Sequence, residues 1–232
     1  VTPNDLNLAA LETVAAALGE LRNELVLVGG CSVGLLISDE ASPPVRETLD
    51  VDLVAEVTTI GEYYALCDKL TACGFRASSE QDHICRWVRG EIKLDVLPSS
   101  DHVLGHSTNR WYADATSTAT RVTLASGLVV RVITAPLFLA TKLEAFYDRG
   151  GGDYAASHDL EDIINVIDGR PELLDEVNAG LESVRNYLRE EFDQLLADEA
   201  FVDAIPMHLR GDAASQARVP LIVERLRRLA GL

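Results

Sequence analysis

The sequence predicts an α/β (α+β) fold, a mixed sheet with flanking helices followed by a helical C-terminal half. Two patterns and a size carry that expectation. Over the first 134 residues, short apolar runs such as Leu25–Val28, Leu49–Glu56 and Ile92–Leu97 alternate with stretches at helical spacing. After Pro136, suited to a first helical turn, nearly every segment reads as helix. At 232 residues, the chain is long enough for one large domain or a domain with a helical appendage. The boundary falls near 134, dividing a core of 1–134 from a helical region of 135–232 that completes a substrate cleft.

The elements follow in order. Leu6, Leu8, Leu11, Val14 and Ala15 make residues 5–22 an amphipathic helix. The strand Leu25–Val28 runs into Gly29-Gly30, and Ser32–Ser38 suits a short helix. Pro43-Pro44 marks residues 39–48 as a loop before the strand Leu49–Glu56. Ile60–Thr71 is helical and Gly74 sits at its stop. Phe75–Ala77, Ile84–Arg89 and Ile92–Leu97 read as strands, the last two joined by a Gly90-Glu91 turn. Residues 98–120 form a loop or short helix, and Arg121–Leu124 with Val129–Ile133 make a second hairpin. The helices then expected are Pro136–Arg149, His158–Ile167, Glu172–Ala197 and Pro220–Leu229.

Composition excludes several classes. No apolar run approaches the roughly 20 residues of a membrane span, and no basic-then-apolar leader opens the chain, so a soluble cytoplasmic protein without a membrane partner is expected. A net charge of −17 repels nucleic acid over most of the surface, so a polynucleotide partner would need a local basic patch or metal-bridged contacts. His208, Arg210, Arg218, Arg225, Arg227 and Arg228 are the candidate patch, the alternative being a solvated amphipathic helix packed through Leu221, Ile222, Leu226 and Leu229. Cys31, Cys67, Cys73 and Cys85 lack CxxC pairing; buried free thiols are the expectation, a zinc site from Cys67, Cys73, His83 and Cys85 the alternative.

The chemistry concentrates on the strands. Asp50 and Asp52, two apart, project from one face of a strand flanked by apolar residues, and Asp95 lies inside another such strand. Burying neighbouring carboxylates is costly unless a cation offsets it, so a metal is the first thing to look for. Gly29 and Gly30 leave room for a backbone to approach phosphate oxygens. Ser32 adds a hydroxyl at a helix start.

The order Gly-Gly-x-Ser, Asp-x-Asp, then a third strand Asp resembles the signature of the nucleotidyltransferase superfamily that includes DNA polymerase beta. Within it the chain looks most like the AbiEii/MenT group, toxins of bacterial toxin–antitoxin and phage-defence pairs. Lys142-Leu143-Glu144-Ala145-Phe146-Tyr147-Asp148-Arg149, and His158-Asp159-Leu160-Glu161-Asp162-Ile163 downstream, are similar to that group's lysine-helix and aspartate motifs. The match covers roughly residues 25 to 168, and Cys31 departs from the small polar residue or alanine expected before the serine.

That resemblance implies a nucleotidyltransferase-type sheet and transfer of a nucleoside monophosphate (NMP) from a nucleoside triphosphate (NTP) to an acceptor hydroxyl. It implies two Mg²⁺ ions, clamping the attacking and leaving oxygens, held by Asp50, Asp52 and Asp95. Asp95 would also help deprotonate the acceptor. Gly29, Gly30, Ser32, Arg46, Lys142 and Arg149 would bind the nucleotide, Lys142 at the β- or γ-phosphate. Asp159 or Asp162 would supply a further polar catalytic group. Partners implied are a tRNA 3′ end or a protein acceptor, and an antitoxin protein. A small-molecule nucleotidyltransferase of the aminoglycoside-modifying kind shares the same signature, and a non-catalytic nucleotide-binding module is the third reading. Trp111 and Tyr112 suit either base stacking or core packing.

Overall fold

A computed structural model describes residues 6–48, 50–79, 85–100, 102–103, 109–149 and 152–232. Asp5, Leu49, His83 and Ile84, which entered the expectations above, lie outside the described residues. The chain forms two compact units. One runs up to Leu35 and resumes over Arg46–Thr134; the other joins Leu36–Val45 to Ala135–Leu232. No described helix is long and apolar enough to cross a membrane.

The first unit contains α1 (Leu6–Leu18), β1 (Leu25–Val28), β2 (Val51–Ala55), α3 (Ile60–Ala72), β3 (Arg76–Ala77), β4 (Arg86–Arg89), β5 (Ile92–Pro98), α4 (Tyr112–Thr118), β6 (Thr120–Thr123) and β7 (Val129–Val132). A 3₁₀ turn over Gly30–Ser32 leads to α2 (Val33–Leu36), which ends where the second unit's first segment begins. The seven strands form one sheet in the order β3-β4-β5-β2-β1-β7-β6. β2 is antiparallel to β1 and parallel to β5, while β1 is parallel to β7, so the sheet is mixed.

Register explains how one sheet carries both core and chemistry. Asp52 lies beside Asp95, and Val51 and Leu53 lie beside Leu94 and Val96. Because side chains alternate faces, the apolar set and the acidic set separate onto opposite sides. Leu11, Val14, Ala15 and Leu18 of α1 close the apolar side, surrounding a small void with Leu25, Leu27 and Leu53. The helix α3 starts at a capping box, in which Thr59 Oγ1 accepts from Glu62 N and Glu62 Oε2 accepts from Thr59 N. Trp111 is buried and Tyr112 half-buried, in keeping with core packing for the tryptophan.

The second unit is helical: α5 (Ala135–Asp148), α6 (His158–Gly169), α7 (Leu173–Ala179), α8 (Glu182–Ala197), α9 (Glu199–Ala204), α10 (Ala213–Gln216) and α11 (Val219–Ala230). The single helix expected over Glu172–Ala197 is two, α7 and α8, broken at Gly180. Ser38 N and Asp39 N both donate to the Gly169 carbonyl at 2.9 Å, tying the Leu36–Val45 segment to the end of α6. A side chain at Gly169 would meet Ile37 at 2.8 Å, so only glycine admits that approach.

The C-terminal arginines divide between structure and solvent. Arg218 Nε donates to both Asp168 oxygens (2.8 and 2.7 Å), and its Nη2 donates to Asp39 Oδ2 at 3.0 Å. Arg225 Nη1 donates to the carbonyls of Ile167 and Asp168, completing the C-terminus of α6 where a cation suits the helix dipole. Arg210, Arg227 and Arg228 are exposed, and His208 is half-buried against the Tyr154 carbonyl at 2.7 Å. Arg218 and Arg225 are thus internal ties of the helical unit rather than members of a free basic patch.

Candidate active site

The acidic face of the sheet gathers Asp50, Asp52 and Asp95, all in the first unit. Asp50 directly precedes β2, two residues before Asp52. Its backbone is held by a chain of polar contacts reaching back to α1. Buried Asn7 accepts from Thr48 N at 2.8 Å and donates to the Arg46 carbonyl at 2.9 Å. Thr48 Oγ1 lies 2.8 Å from Cys31 Sγ, which donates to the Asp50 carbonyl at 3.2 Å. Cys31 is fully buried and acts here as a small polar wedge. Asn7 and Thr48 carry no motif, so nothing in the sequence pointed to them.

Gly29 and Asp52 form a coupled pair. Gly29 has φ +67 and ψ −169, a backbone region essentially confined to glycine. A Cβ there would fall 1.9 Å from Asp52 Oδ2. The carboxylate therefore occupies the space a side chain would fill. Gly30 and Ser32 are buried in the 3₁₀ turn, and Ser32 Oγ donates to the Gly29 carbonyl at 2.7 Å, so its hydroxyl closes the turn. Arg46 is half-buried in the loop before the strand.

A residue outside the expected set dominates the face. Arg86 of β4 lies directly across from Asp95. Its Nε reaches Asp95 Oδ1 and its Nη2 reaches Asp95 Oδ2, both at 2.8 Å, and Nη2 also reaches Asp50 Oδ2 at 2.6 Å. This is the fork geometry in which arginine grips carboxylates most strongly. The guanidinium is nearly enclosed, its side chain 8% exposed. A signal for it was present: counting back across the Gly90-Glu91 turn pairs Arg89 with Ile92 and so Arg86 with Asp95.

Hard carboxylate oxygens are the donors magnesium prefers, yet the arrangement described does not fit the two-ion expectation. Arg86 Nη2 itself bridges Asp50 and Asp95, and among the described residues no group of three His, Cys, Asp or Glu is placed to hold a metal ion. The described cysteines read as packed thiols. Burial raises Cys67 and pushes Cys85 up to about 11, and the Tyr63 hydroxyl is hydrogen-bonded with both.

The motif residues of the helical unit form a second charged cluster. Lys142 of α5 is buried and pairs with Asp159 at 3.0 Å and Asp162 at 2.7 Å. Three apart on α6, both carboxylates turn to the same lysine. Exposed Arg149 also pairs with Asp159. Burial alone would lower the Lys142 ammonium, but Asp162 and Asp159 outweigh it and hold its pKa above the ordinary lysine value. Burial likewise pushes Asp159 up, and Lys142 with Arg149 outweighs that and holds it below the usual carboxylate range.

No known protein family matches the sequence, and neither does any curated protein. Among solved structures the chain is similar to an antigenic nucleotidyltransferase-like protein from Paracoccidioides brasiliensis, at 22% identity over 85% of this chain and 93% of that one, TM-score 0.50. The antibiotic-resistance factor ANT(2'')-Ia matches in a solution structure (17% identity, 82% and 95% covered, TM-score 0.46). It matches also in a crystal structure with adenylyl-2''-tobramycin (18%, 81% and 97%, 0.45). The fold is of the nucleotidyltransferase-like class.

Proposed function

We propose that this chain transfers a nucleoside monophosphate from a nucleoside triphosphate to an acceptor hydroxyl. The observation that carries the reading is the fit of Asp52 into the space left by Gly29, in register with Asp95: glycine turn and acidic strands make one built feature. In the reaction, the acceptor oxygen bonds to the α-phosphorus, the bond from that phosphorus to the β-bridging oxygen breaks, and pyrophosphate leaves. Asp52, Asp50 and Asp95 would line the reacting face, with the Gly29-Gly30 backbone close to the phosphates. Asp95 would take the acceptor's proton once Arg86 releases one of its oxygens.

A net charge of −17 favours a cationic small acceptor over RNA, so an aminoglycoside-like polyamine alcohol is the preferred substrate class. The toxin reading, with a tRNA 3′ end as acceptor and an antitoxin partner, rests on the motif resemblance alone. One observation favours the non-catalytic module instead: the Arg86 bridge that closes Asp50 and Asp95.

The test incubates the protein with MgCl₂ and labelled nucleoside triphosphates against an aminoglycoside panel, total tRNA and total protein. Label should pass to a small cationic acceptor, and Asp52→Ala should bring transfer to background. Nucleotide binding by calorimetry without pyrophosphate release from any acceptor would overturn transfer in favour of the module.

A further inference from the structure

We propose that Arg86 is a resident counter-cation that competes with divalent ions for Asp50 and Asp95, holding free ions off the acidic face while no nucleotide is bound. It deepens the preceding reading, which supplies the reason for the carboxylates, but its test uses no nucleotide.

Three observations combine. Both oxygens of Asp95 and one of Asp50 accept from the same guanidinium, at 2.8, 2.8 and 2.6 Å. That guanidinium is enclosed and remains charged at every accessible pH, so it cannot leave by losing a proton. The cross-strand register with Asp95 fixes its approach from the neighbouring strand, on the same side as Asp50 and Asp52. An incoming ion must therefore displace Nη2 from two carboxylates and leave a buried cation without those partners. Exposed arginine–carboxylate pairs give way easily; one enclosed by the sheet does not. A triphosphate offers the fork a replacement anion of matching geometry, which makes the closed state a resting state rather than a dead one.

A merely structural Arg86 would act in the opposite sense, since removing it would let the carboxylates drift apart and weaken any ion site. Mn²⁺ binding to the nucleotide-free full chain, followed by electron paramagnetic resonance, separates the two. The Arg86→Gln variant should bind Mn²⁺ about tenfold or more tighter than the unchanged protein, the scale on which a neighbouring opposite charge alters cation affinity of a carboxylate. Adding Asp52→Asn should remove much of that gain. Equal or weaker binding by Arg86→Gln overturns the proposal. Should that variant fail to fold, the unchanged protein decides. Mn²⁺ binding should then be weak and insensitive to Asp95→Asn, and tight binding that Asp95→Asn abolishes overturns the proposal. Absence of nucleotidyl transfer in the labelling assay would remove the preceding reading without touching this result.

Discussion

Substituting Gly29 by alanine tests whether the turn and the acidic strand are one feature. Two costs are expected. The backbone at φ +67 and ψ −169 is open to glycine alone, and forcing alanine into it costs about 1–3 kcal/mol. The new Cβ would also lie 1.9 Å from Asp52 Oδ2, 2.7 Å from its Cγ and 2.9 Å from its Cβ. Relieving such overpacking costs about 1–3 kcal/mol more. The sum, about 2–6 kcal/mol, corresponds to a melting temperature lowered by roughly 5–20 °C for a chain of this size. Gly127→Ala is the control, because Gly127 has φ +84 but open space around it, so it bears a backbone cost without a clash. Thermal melting of the two variants, and of Gly29→Ala combined with Asp52→Ala, completes the cycle. Truncating Asp52 should return about 1–2 kcal/mol of the loss, as contacting residues couple. If Gly29→Ala costs no more than Gly127→Ala, or if truncating Asp52 restores nothing, the coupling is wrong.

The helical unit yields further expectations. Lys142→Met strands two buried carboxylates and should destabilise by about 3–5 kcal/mol, read by chemical denaturation, whereas adding Asp159→Asn and Asp162→Asn should recover much of that. Asp159 sits below the ordinary carboxylate range when folded, so its contribution is present above its unfolded pKa and is lost as pH falls through the lower folded value. A melting series from neutral to acid pH should therefore fall more steeply for the unchanged protein than for Asp159→Asn. Arg225→Ala removes the cation that completes the end of α6 and should cost about 1 kcal/mol in melting experiments, with no change in Mn²⁺ binding by Arg86→Gln.

Much of the sheet was legible because its strands are short, apolar and bounded by turns. Leu25–Val28 was read as it stands, the strand from Ile92 ends one residue later at Pro98, and the second strand, drawn over Leu49–Glu56, is Val51–Ala55. The third of the carboxylates, Asp95, was readable as a strand residue, whereas the arginine in Arg86-Trp87-Val88-Arg89 has the pattern of the solvated half of an alternating strand. Tertiary pairing reversed that. Lys142 was expected as a mobile charge for phosphate; on the largely buried helix α5 it is held by two carboxylates, which offset the cost of burying its charge. The question of whether Asp159 or Asp162 turns inward had no answer in one sequence; both do. The short helices α9 and α10 escaped because each is a single turn or little more. Their aspartate caps, Asp198 and Asp212, were the available signals.

The strap at Leu36–Val45 has a consequence for how the molecule is made. Ser38 Oγ donates to Glu172 Oε2 across 134 positions of chain, and the Gly169 carbonyl waits for the same strap. During synthesis the strap emerges long before its receptor helix exists, so the later unit cannot finish until an early stretch returns to it. Closing so long a loop is slow relative to local helix formation. A fragment beginning at Ala135 would carry α5 to α11 and still lack the piece that donates to the Gly169 carbonyl at the end of α6.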